Sequence, residues 1–283
     1  DSGSQNIVVG ASAAQSLTSG SRNIILGSES TSAEGSSGPA KNLTSGNENI
    51  IMGAESALLL TSGNNNIVMG NNSGAKMNTT SNTIIIGVDS GNELVSSSVS
   101  NAVIIGHGAA QKITQGSSIV IGNKSALNAT GTDICIIGNE SGKTVTGARN
   151  TFIGNYTGGL SEDVSGSPVN GEDNILIGTF AGFSIHSGSK NVVIGRGVEI
   201  RKNCIIKKNV VIKNTITKNN IIICDKPSIG TIGFGFDLKK RGSSFLNPQI
   251  GLVIIDDNVH LGSGCTVDRG KIDYTYIGKN TMI

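Results

Sequence analysis

Short apolar runs alternate with longer polar stretches along the first two thirds of the chain. Each run ends in a glycine, as in Asn6 to Gly10 (NIVVG), Asn23 to Gly27 (NIILG) and Asn49 to Gly53 (NIIMG). The closing glycines stand at positions 10, 27, 53, 70, 87, 106, 122, 138, 154, 178 and 195, mostly 16 or 17 residues apart. Strands this short are marginal alone, so each must stack on the equivalent strand of the next repeat. The pattern therefore predicts a parallel β-solenoid over residues 1–197.

Two features of this solenoid follow from strand geometry and turn chemistry. Successive side chains of a strand point to opposite faces, so both sets cannot fill the interior of one solenoid. We expect the following strand residues to lie in the interior or between subunits: Ile67, Met69, Ile84, Ile86, Ile104, Val120, Ile136 and Ile153. Asn and Gly supply the tight turns, and asparagines at a repeated position can stack as an amide ladder.

Near residue 197 the spacing of the aliphatic residues changes from about 17 to six. Ile200, Ile206 and Ile212 mark the new period, which resumes at Ile255, Leu261, Val267 and Ile277. A second set of residues is expected to point inward, four residues after these positions and after Ile194, where the six-residue spacing starts. Its members are Val198, Cys204, Val210, Ile216, Val259 and Cys265. This spacing resembles the hexapeptide repeat. The resemblance implies a left-handed parallel β-helix of triangular cross-section. We therefore expect an all-β chain with one solenoid at 1–197 and a left-handed β-helix at 198–283.

Composition agrees with a thin interior rather than a globular core. Gly accounts for 40 of 283 residues, Trp is absent and aromatic residues make up 3 %. No apolar run approaches the roughly 18 residues of a membrane span. The four cysteines form no CxxC pair, and we expect them to be small buried residues rather than metal ligands or disulfides. We expect no cofactor.

The N-x-x-x-G repeats resemble the head repeats of trimeric autotransporter adhesins and the repeats of phage and giant-virus fibre proteins. This resemblance implies a homotrimeric shaft or receptor-binding head on a virion or cell surface. The partners implied are two further copies of the chain and a surface glycan or receptor.

Three motifs in the second segment resemble bacterial UDP-3-O-acylglucosamine N-acyltransferases of lipid A synthesis. They are GFGF at 233–236, NPQIG at 247–251 and VDRGKIDYTYIG at 267–278. The resemblance implies a cytoplasmic enzyme whose general base is a histidine just beyond the last residue of this sequence. His107, His186 and His260 do not match that position, and His260 is expected to point to solvent because it precedes the inward Leu261. We expect no catalytic residue and no acyl transfer by residues 1–283.

Positive charge is concentrated at the start of the second segment. Residues 196–241 carry 11 Lys and Arg against three acids, whereas residues 1–195 carry 8 against 13. One interpretation is a solvated surface that binds no ligand. The other is a ladder of basic residues that binds an anion or a glycan, formed by Arg201, Lys202, Lys207, Lys208 and Lys213. Nucleic acid is not expected as a partner, because no aromatic residues interleave these charges. The main functional prediction is a non-enzymatic structural fibre, and the alternative is a piece of an acyltransferase.

Overall fold

The structure is a computed structural model that describes residues 2–32, 35–94, 99–113, 116–158, 169–179, 181, 192–194, 198–201, 204–207, 210–233, 236–237, 245–246 and 248–283. Every regular element within these residues is a β-strand. The expected all-β solenoid is confirmed. None of the described residues forms a helix long and apolar enough to cross a membrane.

The first part of the chain stacks eleven short strands into one parallel sheet. The strands of this part are β1 (Ile7–Val9), β2 (Ile24–Leu26), β3 (Ser30–Ser32), β4 (Gly35–Ser37), β5 (Ile50–Met52), β6 (Ile67–Met69), β7 (Ile84–Ile86), β8 (Val103–Ile105), β9 (Ile119–Ile121), β10 (Cys135–Ile137), β11 (Thr151–Ile153), β12 (Ile175–Ile177) and β13 (Val192–Ile194). The sheet follows chain order and leaves out only β3 and β4, which pair with each other as an antiparallel hairpin. That hairpin lies between the closing glycines at 27 and 53, in one of the two repeats that are longer than the rest.

The middle residue of each rung fills the interior of the solenoid. Val68, Ile85 and Phe152 are fully buried, as are their counterparts in the other described rungs from β2 to β12. They pack against the side chains of the opposite wall, whose larger members are Leu43, Leu60, Met77, Leu94, Ile113, Val145 and Val169. One large residue per strand is therefore enough to fill each coil.

The first and third residues of the strands lie on the outer face of the sheet. Ile104, Val120 and Ile136 occupy middle positions, and their predicted interior location is confirmed. An interior location is wrong for the residues that occupy flanking positions, because side chains alternate along a strand. The other expected location, between subunits, stays a prediction for them. Four of these are half-buried and the last is exposed: Ile67, Met69, Ile84, Ile86 and Ile153. We refer to these first and third positions of β1, β2 and β5 to β12 as the outer aliphatic stripe.

Asparagines and glycines hold successive coils in register. The side-chain amide of Asn49 donates to Oδ1 of Asn23 at 3.0 Å, and that of Asn66 donates to Oδ1 of Asn49 at the same distance. This confirms the amide ladder. At Gly70 the φ angle is +131°, and a Cβ would lie 2.5 Å from the carbonyl oxygen of Gly87. The closing glycine is therefore required both for its backbone conformation and for the close approach of the next coil.

The second part of the chain forms a three-sided β-helix. Its strands are β14 (Val198–Glu199), β15 (Ile205–Ile206), β16 (Val211–Ile212), β17 (Thr215–Thr217), β18 (Ile222–Ile223), β19 (Ser228–Thr231), β20 (Phe236–Asp237), β21 (Phe245–Leu246), β22 (Leu252–Ile255), β23 (His260–Leu261), β24 (Thr266–Asp268) and β25 (Tyr274–Ile277). The three parallel faces have the orders β14-β17-β22-β25, β15-β18-β23 and β16-β19-β24. Strands β20 and β21 form an antiparallel pair between β19 and β22.

The hexad prediction identifies most of the interior of this β-helix. Most predicted positions are buried or pack against the core, Ile255 and Leu261 among them. Ile216 is the exception, because it pairs with Ile254 on the outer face, whereas its neighbours Thr215 and Thr217 are fully buried. The core continues across the junction, since Val198 and Ile200 belong to the same cluster as the first solenoid.

Candidate functional site

A bulge in β19 distorts one corner of the β-helix. Ile229 pairs with Val267 and Thr231 pairs with Asp268, so Gly230 is an extra residue without a partner in β24. Gly230 has a φ of +73°, and a Cβ there would lie 1.5 Å from the carbonyl oxygen of Lys213. Only glycine fits this position without a shift of the backbone. Bulges of this kind often re-aim side chains beside functional sites.

The bulge lines a cavity at the corner where the β16 face meets the β17 face. The cavity has a volume of about 250 Å³ and is lined by Lys213, Asn214, Gly230, Thr231, Ile232 and Arg269. These residues come from three stacked coils: they lie in the turns after β16 and β24, and at the end of β19 with the residue that follows it. The wall at Arg269 is fixed by its backbone NH, which donates to the carbonyl oxygen of Thr231 at 3.0 Å.

The described lining of the cavity carries positive charge and no carboxylate. The Nε atom of Arg269 is buried and has no hydrogen-bond partner among the described residues. Lys213 also lines the cavity, its side chain is exposed, and it forms no ion pair with the described residues. The nearby carboxylate of Asp268 accepts a hydrogen bond at its Oδ1 from Thr231 Oγ1, at 3.1 Å.

This arrangement suits an anionic group. A guanidinium offers several N–H donors in a plane, and such donors form strong hydrogen bonds with phosphate or carboxylate oxygens. A buried N–H without a partner is costly unless a ligand or water satisfies it. The volume is below the roughly 300–1,000 Å³ of pockets that enclose a drug-sized ligand, so the cavity would hold one charged group of a larger molecule.

The predicted ladder of basic residues is not brought together on one face. Arg201, Lys207 and Lys213 follow β14, β15 and β16, so they occupy three different corners of the first coil. Arg201 pairs with Glu199 at 2.9 Å, and Lys207 is exposed. The remaining two members, Lys202 and Lys208, lie outside the described residues. A six-residue spacing turns the chain by one face. Of the three described members, only Lys213 lines a cavity with a second cation, Arg269.

An acidic group with several partners marks another corner of the β-helix. Asp256 Oδ1 accepts the ammonium of Lys218 at 3.0 Å, and Oδ2 accepts the hydroxyl of Tyr276. The backbone NH of Asp257 also donates to Oδ1, at 2.8 Å. Together, with the Tyr276 hydroxyl as the largest cause, these donors lower the pKa of Asp256 from 3.8 to about 2. The same hydrogen bond raises the pKa of Tyr276.

This cluster predicts an acid-sensitive contribution to stability. A carboxyl group with a lowered folded-state pKa stabilises the fold above its unfolded pKa, and the contribution is lost as the pH falls through the folded value. For Asp256 that window runs from about pH 4 down to about pH 2. We expect the denaturation midpoint of the wild type to fall across this window more steeply than that of Asp256→Asn. Parallel curves for the two proteins would contradict the role assigned to Asp256.

An exposed aromatic pair close in sequence to the turn at Asp268-Arg269-Gly270 was missed from the sequence. Tyr274 and Tyr276 lie on the outer face of β25, 53 % and 52 % exposed, with ring centroids 6.3 Å apart in an edge-on arrangement. Their spacing by one intervening residue, in a run that begins a strand, is the signal that places both rings on one face. Exposed tyrosines of this kind can stack on a planar or sugar ring.

The four cysteines are free thiols and half-buried, whereas the sequence prediction made them buried residues. The histidines follow their prediction in part. The His260 side chain is half-buried, and its Nε2 lies 3.2 Å from the Sγ of Cys224. It lies on the outer face as expected, but in contact with the thiol rather than free in solvent. His107 is exposed, and its Nδ1 contacts Asn123 at 3.3 Å, whereas His186 lies outside the described residues. Within the described part of the chain, no three His, Cys, Asp or Glu side chains converge as metal ligands would.

Comparison with known proteins finds relatives for a limited part of the chain. UDP-3-O-acylglucosamine N-acyltransferase of Sinorhizobium fredii is 38 % identical over 82 residues, which are 29 % of this chain and 23 % of that protein. The Agrobacterium fabrum protein of the same name is 46 % identical over 65 residues, 23 % of this chain and 18 % of the relative. The Francisella tularensis protein is 53 % identical over 55 residues, 19 % of this chain and 16 % of the relative.

These matches concern the hexapeptide repeats. The chain spans less than a quarter of the length of the curated relatives it matches. No protein-family model matches the chain. Nothing in the comparisons supports the resemblance of residues 1–197 to adhesin or viral fibre repeats, or the expected virion or extracellular location.

Proposed function

We propose that the hexapeptide segment binds a UDP-linked amino sugar, as part of an N-acyltransferase of the kind it resembles. The observation that carries this proposal is the cavity lined by two cations, Lys213 and Arg269, with no carboxylate among its described lining residues. The names of the relatives state an N-acyl transfer to UDP-3-O-acylglucosamine, which contains a diphosphate. This proposal corresponds to a cytoplasmic protein, as the sequence analysis expected for the acyltransferase alternative.

The charge and shape of the cavity support a diphosphate as the bound group. Two cations from different coils face one small volume, and Thr231 and Asn214 add polar groups to its wall. The cavity holds a charged group but not a whole nucleotide, so the uracil and the sugar would lie outside it. Tyr274 starts β25, the strand that follows the Arg269 turn, and its exposed ring is available for stacking.

Titration of the purified protein with UDP-3-O-acylglucosamine tests this proposal. We expect Arg269→Met to weaken binding by about 10- to 100-fold, because the variant removes charge-assisted hydrogen bonds to the ligand. Arg201→Met is the matched control, since Arg201 lies at another corner and pairs with Glu199. Uridine, which lacks phosphate, should bind both variants and the wild type equally weakly.

Equal affinity of the wild type and Arg269→Met for the UDP sugar would contradict the proposal. So would an equal loss in Arg201→Met, because that result would indicate a diffuse effect of net charge. Thermal unfolding of each variant checks that its fold is retained.

The first solenoid favours a second function, that of a rigid shaft that associates with copies of itself. Its outer aliphatic stripe runs along ten of the eleven strands of the sheet, from β1 to β12. The stripe remains partly exposed, with Ile119 at 43 % and Ile175 at 41 %. Contiguous apolar surface of this kind usually marks an interface. We propose that two further copies cover it, in keeping with the homotrimer expected from the sequence.

Sedimentation equilibrium of the whole chain tests this self-association. We expect the mass of three chains for the wild type. The double variant Ile84→Lys, Ile86→Lys should dissociate, because it places two ammonium groups in the apolar interface. Asn71→Lys serves as a control, because Asn71 is exposed in a turn outside the stripe. A monomeric wild type would contradict the proposed assembly.

A further inference from the structure

The three cysteines of the β-helix have different surroundings. Cys204 and Cys265 pack against the core, and burial raises the pKa of both thiols. Cys224 belongs to neither core cluster, and its Sγ contacts the imidazole of His260 at 3.2 Å. A thiol beside an imidazole can transfer its proton and act as a nucleophile, whereas a thiol buried among aliphatic residues stays protonated. Cys224 is therefore set apart by its partner.

The fold places this pair on the outer surface, away from the cationic cavity. Ile223 and Leu261 pair with each other and point inward, so Cys224 and His260, which follow and precede them, point outward. Continuation of the same register places Gly262, which has no side chain, opposite Cys224 in the next coil. The site lies on the β15-β18-β23 face, whereas the cavity lies at the corner between the other two faces.

An apolar column runs beside the thiol. Ile205, Ile222 and His260 occupy equivalent positions in successive coils, and Met282 follows them by a β-bridge to His260. Ile205 is 55 % exposed. Coils repeat at about 4.8 Å, so this column offers an extended apolar track that ends at a nucleophile. Such a surface fits an aliphatic chain attached to a reactive carbonyl.

We propose that Cys224 accepts an acyl group from an aliphatic thioester, with His260 as the base. The Cys224 thiol gives its proton to His260 Nε2, and Sγ attacks the thioester carbonyl carbon. The bond between that carbon and the donor sulfur breaks, and the donor thiol leaves with the proton from His260. One thioester replaces another, so no oxidant or reductant is needed. The apolar column at Ile205 and Ile222 holds the acyl chain.

Incubation of the whole chain with the octanoyl thioester of N-acetylcysteamine tests this proposal. We expect the mass of one octanoyl group on the protein, mapped to Cys224 and released by hydroxylamine. Cys224→Ser should abolish the adduct. His260→Gln should slow its formation by about 100-fold, because a general base typically contributes at least that factor. Cys265→Ser should react at the wild-type rate.

Two controls keep the outcome decisive. Iodoacetamide labelling of the wild type requires no substitution, and we expect Cys224 to react at least tenfold faster than Cys204 and Cys265. Equal labelling of these cysteines, or an unchanged rate in His260→Gln, would overturn the proposal. The result is independent of the proposed sugar-nucleotide site, because Arg269→Met should acylate normally and Cys224→Ser should bind the UDP sugar normally.

Discussion

Ile223→Asp should unfold the hexapeptide segment, whereas Ile222→Asp should leave it folded. Ile223 is fully buried at the centre of the β15-β18-β23 face, where it pairs with Ile206 and Leu261. A carboxylate there would have no partner in an apolar interior, and we expect a loss of about 4 kcal/mol or more. Ile222 is adjacent in sequence but lies on the outer face, so its substitution should cost about 1 kcal/mol or less.

Chemical denaturation, followed by circular dichroism, measures both losses in the whole chain. Limited proteolysis of the native proteins then locates the unfolded part, which should be confined mainly to residues after 197. Equal losses for the two variants would show that the inward and outward positions of this face are assigned wrongly.

Among the described glycines of the β-helix, Gly230→Ala should be the most damaging substitution, and Gly264→Ala is its matched control. The two glycines have nearly the same φ, +73° and +74°, so the conformational cost of alanine is similar at both, about 1–2 kcal/mol. They differ in their surroundings. A Cβ at Gly230 would lie 1.5 Å from the carbonyl oxygen of Lys213, whereas a Cβ at Gly264 has nothing within 4 Å.

We therefore expect Gly230→Ala to cost roughly 2 kcal/mol more than Gly264→Ala, because the backbone must move to relieve the overlap. The movement would also displace Lys213 from the cavity, so binding of the UDP sugar should weaken in Gly230→Ala but not in Gly264→Ala. Unfolding midpoints and ligand titrations of the two variants measure these effects. Similar results for both would indicate that the bulge tolerates a side chain.

The sequence predicts the strands of the first solenoid but only part of their orientation. Runs such as Ile84-Ile85-Ile86 are aliphatic at every position, so they do not show which residue points inward. Phe152 is more informative, because a large ring between Thr151 and Ile153 would suit the interior better than the surface. In the β-helix, strand β17 has the opposite arrangement to the one its hydrophobicity suggests. Its two threonines point inward and its isoleucine lies on the outer face.

Burial of Thr215 and Thr217 is possible because their hydroxyl groups find partners. Thr215 Oγ1 donates to the carbonyl oxygen of Lys213 at 2.7 Å, and Thr217 Oγ1 accepts from the backbone NH of Arg201 at 3.3 Å. A six-residue pattern based on aliphatic residues alone predicts Ile216 as the interior residue of this strand, because the pattern takes no account of local hydrogen bonds made by threonine.

The cationic cavity is predictable from the sequence only as separate parts. Lys213 belongs to the basic stretch at 196–241, and Arg269 belongs to the motif at 267–278. Their meeting depends on which coils stack, and the stretch between β19 and β22 that forms β20 and β21 interrupts the six-residue spacing. The Cys224–His260 contact is hidden for the same reason, because it joins residues on either side of that stretch.

A crystal structure of the protein with UDP-3-O-acylglucosamine tests most directly whether the cavity is the sugar-nucleotide site. We expect the diphosphate in the cavity, with one oxygen within hydrogen-bond distance of the Arg269 guanidinium and another near the ammonium of Lys213. A nucleotide bound elsewhere on the chain, with only solvent beside Arg269, would contradict the proposed function.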